Sequence, residues 1–374
     1  MMDINEFRKL VPVTSNYIYL NHASVSPPPL PVLLESLRVL LELSHHGSIT
    51  VNNLENDDLN WARRKVARLF NVSYEEISFV PNTSYGVNMV VHGLDLKEGD
   101  EVITDSLEFP TVVFPLLKLK KRGVIIKIVN TSLENFENDI LSNFTNRTKL
   151  VSISHVSFNT GIRVDVKSIV KEAKRVGAYV LLDIIQSAGA INVDLRQLDV
   201  DFAVAGSYKW LMSPHGTGIF YVKKGLIKDP PLYGWKSTKN YLEFNPLFFE
   251  LEEGPRRFEI GSNDLSAIAG LTKACEILSP IIDHVESRVM MLSKLVIELA
   301  SEHKLEVVTP LNKRAGIVVI KASNSKKIVE RLQKENNIIV SPRGSGIRIS
   351  THFYNTEEEV RVTIEKLSNI LNNI

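Results

Sequence analysis

The chain is nearly devoid of cysteine: Cys275 is the only one in 374 residues. A single thiol excludes an intramolecular disulfide framework and any multi-cysteine metal site. Neither sign of charge is in excess, since 44 basic and 43 acidic residues leave a formal net charge of +1. A nucleic-acid surface needs a basic excess, so that partner is not expected. The local run Lys118 to Arg122 reads instead as the exposed end of a helix. No uninterrupted apolar run reaches the ~18 residues of a membrane span, and no membrane is expected. The first ten residues mix charges with apolar side chains and carry no signal-peptide core. With so few thiols, a reduced cytoplasmic setting is the natural expectation. The nine histidines are scattered apart from His45-His46, read as a loop, so no metal is expected. The turns after the early strands lack Gly-x-Gly-x-x-Gly, which argues against a nicotinamide dehydrogenase.

What is present is a strand–helix rhythm. Hydrophobic residues make up 44% and charged residues 23%, enough for a large core and two domains. Strand-like runs cover 77–80, 102–104, 124–129, 150–154, 179–182 and 202–205. Helix-like stretches over 84–92, 111–122 and 166–176 alternate with them, which predicts a mainly parallel sheet with helices on both faces. The segment 216–222, reached by a short loop, is read as a further strand, possible in antiparallel sense. Before the sheet come a short strand at 17–20, a helix ending near Leu43 and a longer helix over 54–70. After it, a long helix with Ile268, Leu271, Cys275 and Leu278 at helical spacing takes Cys275 into the core. A second α+β unit follows, with strands at 316–321, 338–341 and 346–350 and helices at 325–335 and 356–371. Three units are expected: residues 1–50, contributing to the small domain and the pocket; 51–260, the large domain; and 261–374, a linking helix with a small α+β domain.

Two strand ends carry the chemistry. The run ending Ala205-Gly206-Ser207-Tyr208-Lys209 delivers a lysine beyond a buried strand. Lysines are mostly exposed, so this strand alone favours a solvated edge. An amine in apolar surroundings, however, loses pKa and can form a Schiff base with a carbonyl. The run Tyr179 to Asp183 is a second buried strand, ending on a carboxylate. A bare aspartate there is costly unless something cationic meets it. A protonated pyridine nitrogen would do so, which is the pairing that makes pyridoxal phosphate an electron sink. Sites in such sheets lie at the carboxyl ends of strands. Pro81-Asn82-Thr83-Ser84 opens a helix after the first sheet strand; on its own it is a plain N-cap, beside a phosphate-bearing cofactor it is a cradle.

From Asn21 to near the C-terminus the sequence resembles the class V aminotransferase family of fold-type I pyridoxal-phosphate enzymes, which includes cysteine desulfurases and isopenicillin N epimerase-like proteins. The likeness rests on six motifs in order: YLNHASVSPPP, NTSYGVN, LLDIIQSAGA, GSYKWLMSPHGTGIFYV, RRFEIGSND and GIRISTHFYNTEEEV. The resemblance implies a seven-stranded sheet and pyridoxal 5'-phosphate bound through Lys209, which also moves protons at the substrate α-carbon. It implies Asp183 at the pyridine nitrogen, Gln186 at the ring's phenolate oxygen, and Thr83, Ser84 and Ser207 at the phosphate. Where many relatives have histidine before the lysine stands Tyr208, whose hydroxyl could also reach the phosphate; where they stack a histidine on the ring stands Phe109. Ser262 matches a hydroxyl that reaches the phosphate across a homodimer interface. Arg348 matches the arginine that forks onto the substrate α-carboxylate. Asn21 and His22 match a pocket-lining segment, with His22 equally accounted for as structural, and Asn159 and Thr160 lie where some relatives touch substrate or ring oxygen.

Desulfurases of this group use a mobile cysteine before the carboxylate arginine; the stretch Ile338 to Gly346 has none. Persulfide chemistry on the enzyme is therefore not expected. Transamination of a small amino acid is the leading expectation, with β-elimination, C–S lysis or epimerisation as the alternative. A catalytically silent binding relative would show a damaged lysine or aspartate, and both are intact.

Overall fold

The computed structural model describes residues 3–372. The first strand, β1 (Ile18–Tyr19), is two residues long and lies outside the main sheet. The main sheet is formed by β2 (Ile77–Val80), β3 (Glu101–Asp105), β4 (Ile125–Val129), β5 (Thr148–Ser154), β6 (Tyr179–Asp183), β7 (Phe202–Gly206) and β8 (Gly218–Val222). Their order is β2-β8-β7-β6-β5-β3-β4. The strands from β7 to β4 run parallel, while β8 is antiparallel to both β7 and β2. This is the expected mainly parallel, seven-stranded α/β sheet. The crossover helices Thr83–Gly93, Pro110–Leu119 and Val166–Val176 lie where the periodicity puts them.

Alternation decides which core each side chain joins. In β7, Ala203 and Ala205 enter the larger apolar cluster, whereas Phe202 and Val204 enter the cluster on the opposite face. With both faces covered, the strands read as continuous apolar runs rather than alternating ones. Polar ends such as Asp183 and Lys209 are thereby pushed to the strand termini.

A three-stranded antiparallel sheet, β11-β12-β9, forms the C-terminal unit. Its strands are β9 (Ile317–Lys321), β11 (Ser341–Arg343) and β12 (Gly346–Ser350), and between the first two lies β10 (Ile338–Ile339), which pairs in parallel with β1. The helices Ile282–Glu302, Ser325–Asn336 and Glu357–Asn372 bury a third apolar cluster with it. The β1–β10 pair and the bridge between Asn21 and Ser350 tie the N-terminal segment to this unit.

Several expectations need correction. The helix read over 54–70 is two helices, Ser48–Glu55 and Asn60–Leu69. Asp58 and Leu59 break it with φ of 58° and 61°, which lets Leu59 bury itself and brings the Asp58 carbonyl to Arg63. His45-His46 closes the helix Leu30–His46 instead of lying in a loop; imidazoles in a last turn suit the helix dipole. The strand read at 338–341 is split into β10 and β11, which join different sheets. The long helix after 264 ends at Leu278, and a second one, Ile282–Glu302, was not anticipated. Together these two are long and apolar enough to cross a membrane by length and composition alone, with a mean hydropathy of 1.4. Their apolar faces are instead largely buried inside the protein. Gly270 lets the first of them approach Leu30–His46: a Cβ there would stand 2.4 Å from Ser36 Oγ.

Candidate active site

The carboxyl ends of β2, β3, β5, β6 and β7 converge on one small cavity. Thr83, Ser84, Phe109, Ser154, Phe158, Asp183, Gln186, Tyr208 and Lys209 are among its lining. A larger cavity of about 590 Å³ lies elsewhere, between Glu75, Lys224, Leu251 and Arg257; its arginine is saturated by backbone carbonyls and it holds no comparable chemistry.

Lys209 sits in the loop between β7 and β8, three residues beyond the buried strand. Its ammonium makes no ion pair among the described residues and lies 5.9 Å from the Phe109 ring centroid. Burial first of all lowers its pKa, to about 8; Asp183 opposes that shift, and Arg348 and Arg343 add to it. Asp183 is buried, and one of its oxygens accepts the Ile185 N–H at 2.8 Å. Desolvation raises its pKa to about 6, with that hydrogen bond and Lys209 pulling the other way. Both groups are thus poorly solvated and incompletely partnered, as Schiff-base formation at one and a cationic ring nitrogen at the other require.

Around them the pocket is prepared for a ring and a phosphate. Gln186 is locked by two bonds: Trp210 Nε1 donates to its Oε1 at 2.9 Å, and its Nε2 donates to the Ala23 carbonyl at 3.0 Å. The second Nε2 hydrogen remains for the pocket. Phe109 is 44% exposed and lines the cavity. The helix Thr83–Gly93 is capped by Asn82, whose side chain accepts the Tyr85 N–H. Thr83 Oγ1 is buried with no hydrogen-bond partner, and Ser84 Oγ shares a 2.8 Å bond with Thr111 Oγ1. An orphaned hydroxyl at a helix N-terminus fits an incoming phosphate. The Tyr208 ring stacks on His215 at 4.1 Å and lines the same cavity. These residues fit pyridoxal phosphate.

Other sequence-based assignments fall differently. Ser207 is fully buried and aimed away, its hydroxyl held by the Pro214 and Thr217 carbonyls at 2.6 and 2.8 Å. It fastens the lysine loop rather than the phosphate. His22 is also fully buried, among Tyr19, Trp210, His352 and Tyr354, with Nδ1 and Ser26 Oγ 3.0 Å apart. Burial holds its pKa well below the usual histidine range, and it is not among the residues lining the cavity. Thr160 is buried too, its Oγ1 accepting the Ile162 N–H and its carbonyl accepting Thr309 Oγ1. Asn21 is bridged to Ser350, and Asn159 packs beside Gly344; neither lines the cavity. Ser262 is exposed and away from this chain's own cavity.

Arg348, on β12, is fully buried without a carboxylate partner. It donates to the Phe158 carbonyl at 3.0 Å and to Ser24 Oγ at 2.6 Å, while Nε has no partner. Desolvation, with Arg343 adding to it, lowers its pKa to about 9.

Sequence reasoning missed an acidic group behind the ring face. Glu108 grips Ser154 through both its backbone N–H and its hydroxyl, the latter at 2.6 Å. Asp105, at the end of β3, accepts the Leu107 N–H at 2.8 Å. Burial raises the pKa of both, and their proximity raises that of Glu108 further. The rule that found Asp183, a buried run ending on a carboxylate, applies equally to Asp105.

A doubly wound, mainly parallel sheet with a lysine and an aspartate facing one phosphate cradle defines a fold-type I pyridoxal-phosphate enzyme. The comparisons narrow that class. The sequence profile of the family Aminotransferase class-V matches residues 18–363, and the chain belongs to that family. A probable cysteine desulfurase of Methanothermobacter thermautotrophicus is 28% identical, covering 99% of this chain and 98% of the relative. An uncharacterized aminotransferase of Bacillus subtilis, YcbU, is 25% identical with 97% of each chain covered. Among solved structures, the apo cysteine desulfurase of Thermococcus onnurineus NA1 superposes with a TM-score of 0.91 at 25% identity, covering 100% of this chain and 99% of that one. The cystine C-S lyase C-DES superposes with a TM-score of 0.89 at 23% identity, covering 96% of this chain and 99% of that one, a likeness of fold.

Proposed function

We propose that the protein is a pyridoxal-phosphate-dependent C–S lyase that breaks the Cβ–S bond of a cysteine-derived amino acid. This reading replaces transamination as the leading one because relatives covering nearly the whole chain are named for desulfurase chemistry. It takes up the sequence-based alternative, C–S lysis, which needs no thiol of this chain. The observation that carries this is the place of Cys275, fully buried in the helix Leu265–Leu278, where burial pushes its thiol pKa upward. No other cysteine exists in the chain to take up sulfur.

Bound pyridoxal phosphate supplies an electron sink for the pair released at the substrate α-carbon. In our reading Asp183 keeps the ring nitrogen protonated, Phe109 covers one ring face, and Gln186 gives its free N–H to the phenolate oxygen. Thr83 Oγ1, Ser84 and Tyr208 hold the phosphate. Arg348 binds the α-carboxylate, and Lys209 Nζ takes the proton from Cα. The sulfur leaves with the bonding pair as a thiolate and takes up the proton that Lys209 removed, and the remaining carbon skeleton takes up water to give pyruvate and ammonia.

The functional unit in this reading is a homodimer. The helix Leu30–His46 exposes Leu34 (60%), Leu40 (50%) and Leu41 (59%), an apolar face of the kind that subunits cover. In this reading Ser262, which does not line its own chain's cavity, serves the neighbouring subunit's phosphate.

Incubating the holoenzyme with cysteine or cystine tests the proposal. With no oxo acid added, cysteine should give pyruvate, ammonia and sulfide in equal amounts, and cystine should give pyruvate, ammonia and cysteine persulfide in equal amounts. Alanine as the carbon product would indicate desulfuration. Absorbance of the pyridoxamine form, reversed by an oxo acid, would indicate transamination.

A further inference from the structure

The hairpin of β11 and β12 carries more positive charge than one α-carboxylate needs. Its register pairs Ser341 with Arg348 and Arg343 with Gly346. Paired residues of an antiparallel ladder share a face, and so do residues two apart along a strand. Ser341, Arg343 and Arg348 therefore project from the same side, the two arginines as diagonal neighbours. Such neighbours are within reach for long side chains.

Each of these three side chains leaves a buried polar atom without a partner: Ser341 Oγ, Arg343 Nε and Arg348 Nε. Neither arginine has a carboxylate within 4.0 Å among the described residues. Arg348 retains two neutral partners, the Phe158 carbonyl and Ser24 Oγ. Arg343 has only a marginal 3.5 Å contact with the Pro342 carbonyl. Both guanidinium charges help to lower the pKa of Lys209, and Arg348 reaches the carbonyl of Phe158, which lines the cavity. In the turn between the strands Gly344 has a φ of +50°, and a Cβ on it would lie 2.5 Å from Asn159 Oδ1. Arg343 thus sits on a hairpin that abuts the loop following Phe158, which lines the cavity.

Two like charges side by side, partly desolvated and without an acid, are stable only when an anion meets them. One α-carboxylate satisfies Arg348. We propose that Arg343 is a specificity-determining residue that binds a second carboxylate, at the far end of the substrate side chain. The substrate class is then a cysteine thioether or disulfide with a distal carboxylate. A guanidinium suits that task because its fork can grip a carboxylate through two parallel bonds. This deepens the C–S lyase reading and rests on it only for which bond breaks.

The test uses the holoenzyme and two probes of equal size, S-carboxyethyl-L-cysteine and its carboxamide. Binding is read as the immediate change in cofactor absorbance on mixing, and turnover separately as pyruvate. The wild type should bind the carboxylate roughly 10- to 100-fold more tightly than the amide. In Arg343→Gln that ratio should fall to about one, and in Arg343→Lys it should be intermediate. Circular dichroism confirms that each variant is folded. A wild-type ratio near one, or a ratio that Arg343→Gln does not change, would overturn the proposal, and equal weakening of both probes would place Arg343 on the α-carboxylate. A retained ratio without pyruvate would instead leave the Arg343 site standing and remove the lyase reading.

Discussion

The indole N–H of Trp210 donates to Gln186 Oε1 at 2.9 Å, joining the residue after the lysine to the third residue beyond the aspartate. Two segments far apart in sequence thereby share one buried bond. Because the indole can only donate and the Ala23 carbonyl can only accept, the orientation of the Gln186 amide is fixed. Trp210→Phe should free that amide, weakening cofactor binding by roughly 5- to 10-fold, the worth of one neutral hydrogen bond. Equilibrium dialysis of pyridoxal phosphate checks it.

The reactivity of Lys209 should follow its depressed pKa. The neutral amine is the reactive form, so labelling of the apoprotein at this residue should rise with pH about a midpoint near 8. Asp183 holds that value up, so Asp183→Asn should move the midpoint lower still. Site-resolved acylation across a pH series measures both, and an upward move in the variant would contradict the assigned electrostatics.

The same two groups set a pH dependence of apoprotein stability. Asp183 binds its proton more tightly folded than unfolded, so its contribution is lost as pH rises from about 4 through 6. Lys209 binds its proton less tightly folded, so ionised it opposes folding below pH 8, and that penalty fades as pH rises from 8 towards 10.5. Denaturant midpoints for wild type and Lys209→Met should therefore converge at alkaline pH.

Arg63 and Glu259 form a buried ion pair of 2.6 Å, and Glu259 also accepts the Phe79 N–H and the Asn263 amide. Arg63→Leu leaves that carboxylate without its cation and should cost about 3–5 kcal/mol of stability. A chemical-denaturation curve reads the loss directly. Glu259→Gln, which keeps hydrogen-bonding capacity but leaves the guanidinium unpaired, should also destabilise the fold.

How much of this was visible in the sequence depends on whether a signal is local. The strands β2, β5, β6 and β7 were legible because buried parallel strands are short apolar runs bounded by polar ends. Asp183, Lys209 and Thr83 were legible because motif and strand end coincide, Phe109 through the resemblance alone, and the structure brings those four to one cavity. Ser207 was assigned to the phosphate by resemblance alone, and its bonds to the Pro214 and Thr217 carbonyls are visible only in the fold. His22 could not be settled until the Tyr19, His352 and Tyr354 rings were seen to enclose it. Arg343 escaped notice because its meaning lies in a hairpin register and in what is missing beside it.

Which amine carries the cofactor decides the chemistry of the site. Borohydride reduction of the holoenzyme followed by peptide mass spectrometry should find the pyridoxyl group on Lys209, and Lys209→Ala should show neither that adduct nor the visible absorbance. An adduct on another lysine, or a coloured and reducible Lys209→Ala protein, would contradict that assignment.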